Sequence, residues 1–175
     1  MAIEDDAGFR EFVARQRRAL LRTAYLLTGD HGHAEDLVQT ALLKTYAHWA
    51  RVSAAGDPTA YVRRVLVTTA TSWRRRLLTT EQVMDAVPDQ PHHDQYPERS
   101  AAVIDALRGL PPRMRAVVVL RVWEDLSEAE TAHLLGMSVG SVKSQMSRAM
   151  TRLRQQPGVL EAAGREVAAE TEAGR

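Results

Sequence analysis

The chain has 175 residues, 45% apolar, 26% charged and 5% aromatic, with no cysteine. At roughly 100–200 residues per domain this is one domain or two small ones. The balance excludes a disordered or low-complexity chain, and the missing thiols exclude a disulfide scaffold, a zinc ribbon and a cysteine nucleophile. Net charge is +1, from 23 Lys+Arg against 22 Asp+Glu, and its distribution is uneven. Residues 61–76 hold five arginines (Arg63, Arg64, Arg74, Arg75, Arg76) and no acid. Residues 138–154 hold Lys143, Arg148, Arg152 and Arg154 and no acid. Residues 77–98 hold Glu81, Asp85, Asp89, Asp94 and Glu98 and no Lys or Arg. Two polyanion-facing segments separated by an acidic connector is the reading this pattern supports. The longest apolar run, Ala116–Leu120, is far short of a membrane span, and Glu4, Asp5 and Asp6 give the start the wrong sign for a secretory leader. The cytoplasm is the expected compartment.

Every periodic stretch has helical spacing. Phe9, Phe12, Val13, Gln16, Leu20, Ala24 and Leu27 form a first buried stripe, broken at Gly29-Asp30. Ala34, Leu37, Val38, Ala41, Leu42, Tyr46 and Trp49 form a second. Asp57-Pro58 starts a third helix, with Asp as N-cap and Pro at the first helical position. Its stripe is Tyr61, Val62, Val65, Leu66, Thr69 and Trp73. Three amphipathic helices with short links predict a compact bundle over residues 8–77. Residues 78–99 lack an apolar period and carry Pro88, Pro91 and Pro97, which predicts a flexible linker with room for a short helix around Thr80–Ala86.

A second helical unit spans residues 100–155. Val103, Ile104 and Leu107 suit a short helix ended by Gly109 and Pro111, and Met114, Val117, Val118, Leu120 and Val122 suit the next. Ser127-Glu128-Ala129-Glu130 reads as a capping box, and Gly136, after Leu135, as the left-handed cap. Ser138 starts the final helix, whose stripe is Val142, Met146, Ala149, Met150 and Leu153. Pro157 and Gly158 end it, and residues 156–175 read as a frayed tail. The whole is an all-α chain of two small helical domains.

A short helix, a Gly136-Met137-Ser138 turn and a longer acid-free helix make a helix-turn-helix pattern. The second helix leaves Ser141, Lys143, Ser144, Ser147 and Arg148 outward near its N-terminal half. Short or cationic side chains allow deep entry into a major groove, where Lys and Arg reach guanine acceptors or phosphate. An ordinary helical hairpin with a solvated basic face is the competing reading. For Arg63–Arg76 a nucleic-acid lining and a solvated face both stand, with Trp73 read as core rather than as a base-stacking platform. His31, His33 and Glu35, and His92, His93 and Asp94, have no metal-ligand spacing. No phosphate loop, nucleotide fingerprint or nucleophile elbow occurs, so no active site, metal or cofactor is expected.

The segment Ala34-Glu35-Asp36-Leu37-Val38-Gln39-Thr40-Ala41-Leu42-Leu43-Lys44-Thr45-Tyr46 resembles the second-region core helix of bacterial extracytoplasmic-function sigma factors. Ala60–Arg76 resembles their promoter-melting helices, and Leu110–Arg121 followed by Leu126–Leu153 resembles their fourth region. The run Ser72-Trp73-Arg74-Arg75-Arg76 looks like an actinobacterial subgroup. The resemblance implies a dissociable initiation subunit of RNA polymerase, monomeric when free, with an anti-sigma factor as a further partner. It implies that Asp36, Leu37 and Gln39 meet the clamp helices of the beta-prime subunit and that the second unit docks on the beta flap. For the minus-ten element it implies Arg63, Arg64, Thr68, Ser72, Arg75 and Arg76. For the minus-thirty-five element it implies Arg121, Ser138, Ser141, Lys143, Ser144, Ser147 and Arg148. Many relatives carry Arg-Asn and a later Asp in the melting helix, where this chain has Val67-Thr68 and Ser72. The acidic linker is expected to cover the basic faces in the free state or to track the polymerase's single-strand channel when bound. Two further readings compete: a stand-alone helix-turn-helix regulator, for which no dimer helix with sustained heptads is found, and a sigma-like protein that only sequesters an anti-sigma factor.

Overall fold

A computed structural model describes the backbone over residues 2–79 and 99–156 and the side chains over residues 7–72 and 101–156. Most of the expected linker, its short helix, His92, His93 and most of the tail lie outside the described residues, as do the side chains of Trp73, Arg74, Arg75 and Arg76. The helices are α1 (Ala2–Thr28), α2 (His31–Tyr46), α3 (Trp49–Ala54) and α4 (Pro58–Thr79), then α5 (Arg99–Arg108) and α6 (Pro112–Val118). A π-helical turn, Val119–Trp123, continues α6 and leads to α7 (Glu128–Leu135) and α8 (Val139–Arg154).

The local starts and stops follow the sequence signals. Asp30 Oδ1 accepts from the His33 amide at 2.7 Å, capping α2. Asp57 Oδ1 accepts from the Ala60 amide at 2.9 Å, capping α4 ahead of Pro58. The second stripe does not run through to Trp49, however. The chain turns after Tyr46, and Trp49 opens the short α3 instead. The reason is aromatic packing: the Trp49 ring lies 5.2 Å from both Phe9 and Phe12 of α1, centroid to centroid.

The larger departure is in how the two halves meet. They do not stand as separate bundles: α4 packs against α6 and α7, and α1 packs against α5, α6 and the π turn. Leu20, Ala24, Leu27, Leu37 and Leu66 share one continuous core with Ile104, Leu107, Met114, Val119 and Leu120. Met114 through Leu120 are all buried, so this helix is covered all round rather than on one stripe.

The C-terminus of α1 anchors this contact. Arg108 Nη2 donates to the Gly29 carbonyl, and the fully buried Arg115 donates through Nη1 to the Leu27 carbonyl at 3.0 Å. Gly29 sits at φ +74°, and a Cβ there would stand 2.6 Å from Arg108 Cγ. Gly29→Ala therefore faces both the left-handed penalty, about 1–2 kcal/mol, and a clash at the seam. Urea denaturation is expected to show a loss of at least that penalty; an unchanged midpoint would show that the seam yields.

Candidate nucleic-acid interface

The helix-turn-helix is built by short-range hydrogen bonds. Ser127 Oγ accepts from the Glu130 amide at 3.2 Å, and Glu130 Oε2 accepts from the Ser127 amide at 2.7 Å. The Ser127 hydroxyl first and then the Ser127 amide, each bonded to the Glu130 carboxylate, hold that carboxyl below its ordinary value, with the nearby Arg63 charge adding to the effect. The contribution is thus present at and above the usual carboxylate range and is lost as pH falls through the lowered value. Gly136 ends α7 at φ +62°, and Ser138 Oγ accepts from the Ser141 amide at 3.1 Å to start α8. Val142 of α8 meets Ala132 of α7 and Val117 of α6 in a small cluster of their own. That cluster fixes the rotation of α8 and so decides what faces out.

Six expected residues on this unit, Ser138, Ser141, Lys143, Ser144, Ser147 and Arg148, are all exposed. The structure qualifies three of them. The Ser138 and Ser141 hydroxyls lie 2.9 Å apart, bonded to each other. Lys143 Nζ lies 3.5 Å from Glu128 Oε2. Arg148 has no ion pair among the described residues. Arg121 is half-buried and donates through Nη1 to the Leu126 carbonyl, where it steadies the turn after the π helix. Val139, an exposed apolar residue at the start of α8, escaped the sequence reading because it precedes the periodic stripe.

On α4, Arg64 and Thr68 are exposed, and Thr68 Oγ1 donates back to the Arg64 carbonyl at 2.8 Å. Ser72 is half-buried, and Val67 is fully buried. Arg63 is engaged: its Nε lies 2.6 Å from Glu124 Oε2. On α2, Asp36 and Gln39 are exposed. Leu37 is a correction. At 0% exposure it belongs to the core, because it shares a face with Ala34 and Ala41 rather than with Asp36. The outward face carries Leu43 instead, 70% exposed and seven residues beyond Asp36. Its position off the buried stripe was the sequence signal for it. His31 stacks on Tyr25 at 4.1 Å, and His33 Nδ1 lies 3.4 Å from Asp30 Oδ1, so both imidazoles have local roles.

Family models fit this architecture half by half. The model for sigma-70 region 2 matches residues 12–78, and that for sigma-70 region 4 matches residues 100–153. The chain belongs to the sigma-70 family of RNA polymerase sigma factors. It is 43% identical over 151 residues to the RNA polymerase sigma-E factor of Streptomyces coelicolor, covering 85% of each chain. Identity to the sigma-E factor of Streptomyces avermitilis is 45% over 160 residues, covering 89% of this chain and 88% of the relative. The extracytoplasmic-function sigma factor SigM of Mycobacterium tuberculosis is 30% identical over 164 residues, 89% of this chain and 80% of the relative. Among solved structures, the sigma factor RpoE from Bartonella quintana, solved with the anti-sigma factor NepR, has the same fold. Its TM-score is 0.68 at 24% identity, covering 88% of this chain and 97% of that one. CnrH, solved with the cytosolic domain of CnrY, gives a TM-score of 0.56 at 21% identity, covering 85% and 86%. The protein is thus an extracytoplasmic-function sigma factor: a non-enzymatic subunit that binds core RNA polymerase and promoter DNA and directs transcription initiation. Among the described residues no helix is long and apolar enough to cross a membrane.

Proposed function

We propose a division of labour along this sigma factor, residues 8–77 serving the polymerase clamp and the minus-ten element and residues 100–155 the minus-thirty-five element. Ser141, Lys143, Ser144, Ser147 and Arg148 of α8, with Val139 beside them, enter the major groove. Arg121 and Ser138 hold the flanking phosphates. Arg63, Arg64, Thr68, Ser72, Arg75 and Arg76 of α4 take the minus-ten element. Asp36 and Gln39, joined by Leu43 in place of Leu37, meet the beta-prime clamp helices, and the second unit docks on the beta flap. The observation that carries this reading is the exposed, acid-free outer face of α8, held in one rotation by Val142 and its two partners. The solved neighbours RpoE and CnrH were each captured with a second protein, and an anti-sigma factor is the corresponding partner proposed here. The free protein acts as a cytoplasmic monomer.

Run-off transcription with purified core polymerase tests the assignment. A promoter-specific transcript that requires both elements is the expected result. Tight binding to promoter duplex without polymerase would instead favour a stand-alone regulator. Each unit alone offers few cations, so the free chain is expected to bind duplex weakly and with steep salt dependence.

A further inference from the structure

The chain has six methionines and no cysteine, so an oxygen-donating oxidant meets thioethers and no thiol. Met137, in the turn between α7 and α8, and Met146, further along α8, both pack on the small cluster of Val117, Ala132 and Val142. Both side chains are half-buried, within reach of solvent and yet part of the packing. Met137 closes the turn. Its amide donates to the Ala132 carbonyl at 3.0 Å and the Gly136 amide to the His133 carbonyl at 3.4 Å. In this pairing the residue after the glycine lays an apolar side chain back on the helix it ends. Met146 touches both the small cluster and the main core, so it ties α8 to the rest of its unit. Of the other described methionines, Met114 is 5% exposed and shielded, and Met150 packs on the main core and not on the small cluster. Met1 and Met84 lie outside the described side chains.

We propose that Met137 and Met146 are an oxidation site: conversion of their thioethers to sulfoxides by a hydroperoxide frees α8 from its fixed rotation and switches off minus-thirty-five reading. The inference rests on the role given above to α8. The chemistry needs only the oxidant. The thioether sulfur attacks one oxygen of hydrogen peroxide, the S–O bond forms, the O–O bond breaks and water leaves. Sulfur loses two electrons and the peroxide gains them. The product is a polar, chiral group where a flexible apolar one stood, and sulfoxide reductases reverse it. The side chains of Val117, Ala132 and Val142 offer the new S=O acceptor no donor. Burying such a group unpaired is costly, so the sulfoxide turns to water and leaves the cluster. Three buried residues hold too little area to keep the helix in place once a thioether withdraws. Ser144, Ser147 and Arg148 lie on the same helix as Val142 and Met146, so the reading face moves with it.

The test treats the full chain with hydrogen peroxide, removes the oxidant and then adds untreated core polymerase. Peptide mass spectrometry is expected to find the added oxygen on Met137 and Met146 ahead of Met114. Amide hydrogen exchange of the treated chain is expected to quicken over α7 and α8 while α1 and α2 keep their protection. Promoter-specific run-off is expected to fall about tenfold and to return after treatment with methionine sulfoxide reductases. Met137→Leu combined with Met146→Leu conserves volume without the thioethers and is expected to keep its run-off through the same oxidation. Sulfoxide at both positions with run-off unchanged overturns the proposal, as does an equal loss in the leucine variant. Faster exchange spread through α1 and α2 also overturns it, in favour of general denaturation. Run-off by the untreated chain from a promoter with a scrambled minus-thirty-five element reports on the reading role of α8 separately, since a drop there upholds that role whatever the oxidant does.

Discussion

Replacing Arg115 with alanine is expected to cost about 3–5 kcal/mol of folding stability, since buried carbonyls left without donors cost about 1–3 kcal/mol each and the lost side chain opens a cavity. The side chain is 1% exposed and its guanidinium serves four carbonyls. Nη1 donates to Leu27 at 3.0 Å and Thr28 at 3.5 Å, and Nη2 to Arg108 at 2.8 Å and Leu110 at 3.3 Å. Two of these acceptors end α1, one ends α5 and one lies just beyond it, where helices leave carbonyls without intrahelical partners. One cation thus caps two helices at their negative ends and binds the halves of the molecule together. Alanine leaves those acceptors buried and opens a cavity. Arg115→Met fills most of the volume without the donors, so the difference between the two variants in urea denaturation separates the packing loss from the hydrogen-bond loss. A change under about 1 kcal/mol in both would mean that water reaches the carbonyls and that the seam is looser than drawn.

The second large effect is functional. Arg148→Ala is expected to lower promoter-specific transcription about tenfold, within the roughly 1–3 kcal/mol carried by a base-reading arginine, while core-polymerase binding stays as it was. Arg148 is exposed on α8 and has no ion pair among the described residues, so its removal leaves folding untouched and its charge is available to DNA from the start. Lys143 must first leave Glu128, so Lys143→Ala is expected to cost less. The salt dependence of promoter binding discriminates the type of contact. A slope reduced by about one marks Arg148 as a phosphate contact, whereas relaxed base preference marks it as a reader. Equal loss of core binding would remove the residue from the DNA face altogether.

The local instructions of this fold are written in the chain. Asp57, Ser127 and Ser138 each cap the helix expected of them, Asp30, read only as a break, caps α2, and Gly136 takes the left-handed turn between α7 and α8. These signals act over three or four residues, so a one-dimensional reading captures them. The outward face of α8 follows for the same reason, since the period of its apolar stripe sets the rotation. Leu37 failed because adjacency within a motif was taken for a shared surface. At 100° per residue Asp36 faces solvent while Leu37 faces Ala34 and Ala41. What only the tertiary structure decided is the pairing between the halves. Arg115 is an ordinary helical arginine until α1 brings its free carbonyls to it. The π turn inserts an extra residue that shifts the phase of everything after it, and with that shift Glu124 comes to lie between Thr23 and Arg63 rather than in water. Helix periodicity carries no information about either partner, because the residues that answer each other are 101 positions apart for Thr23 and Glu124 and 88 for Leu27 and Arg115. Burying Met114–Leu120 on every side needs both halves at once, and that mutual burial is a property of their contact rather than of either segment.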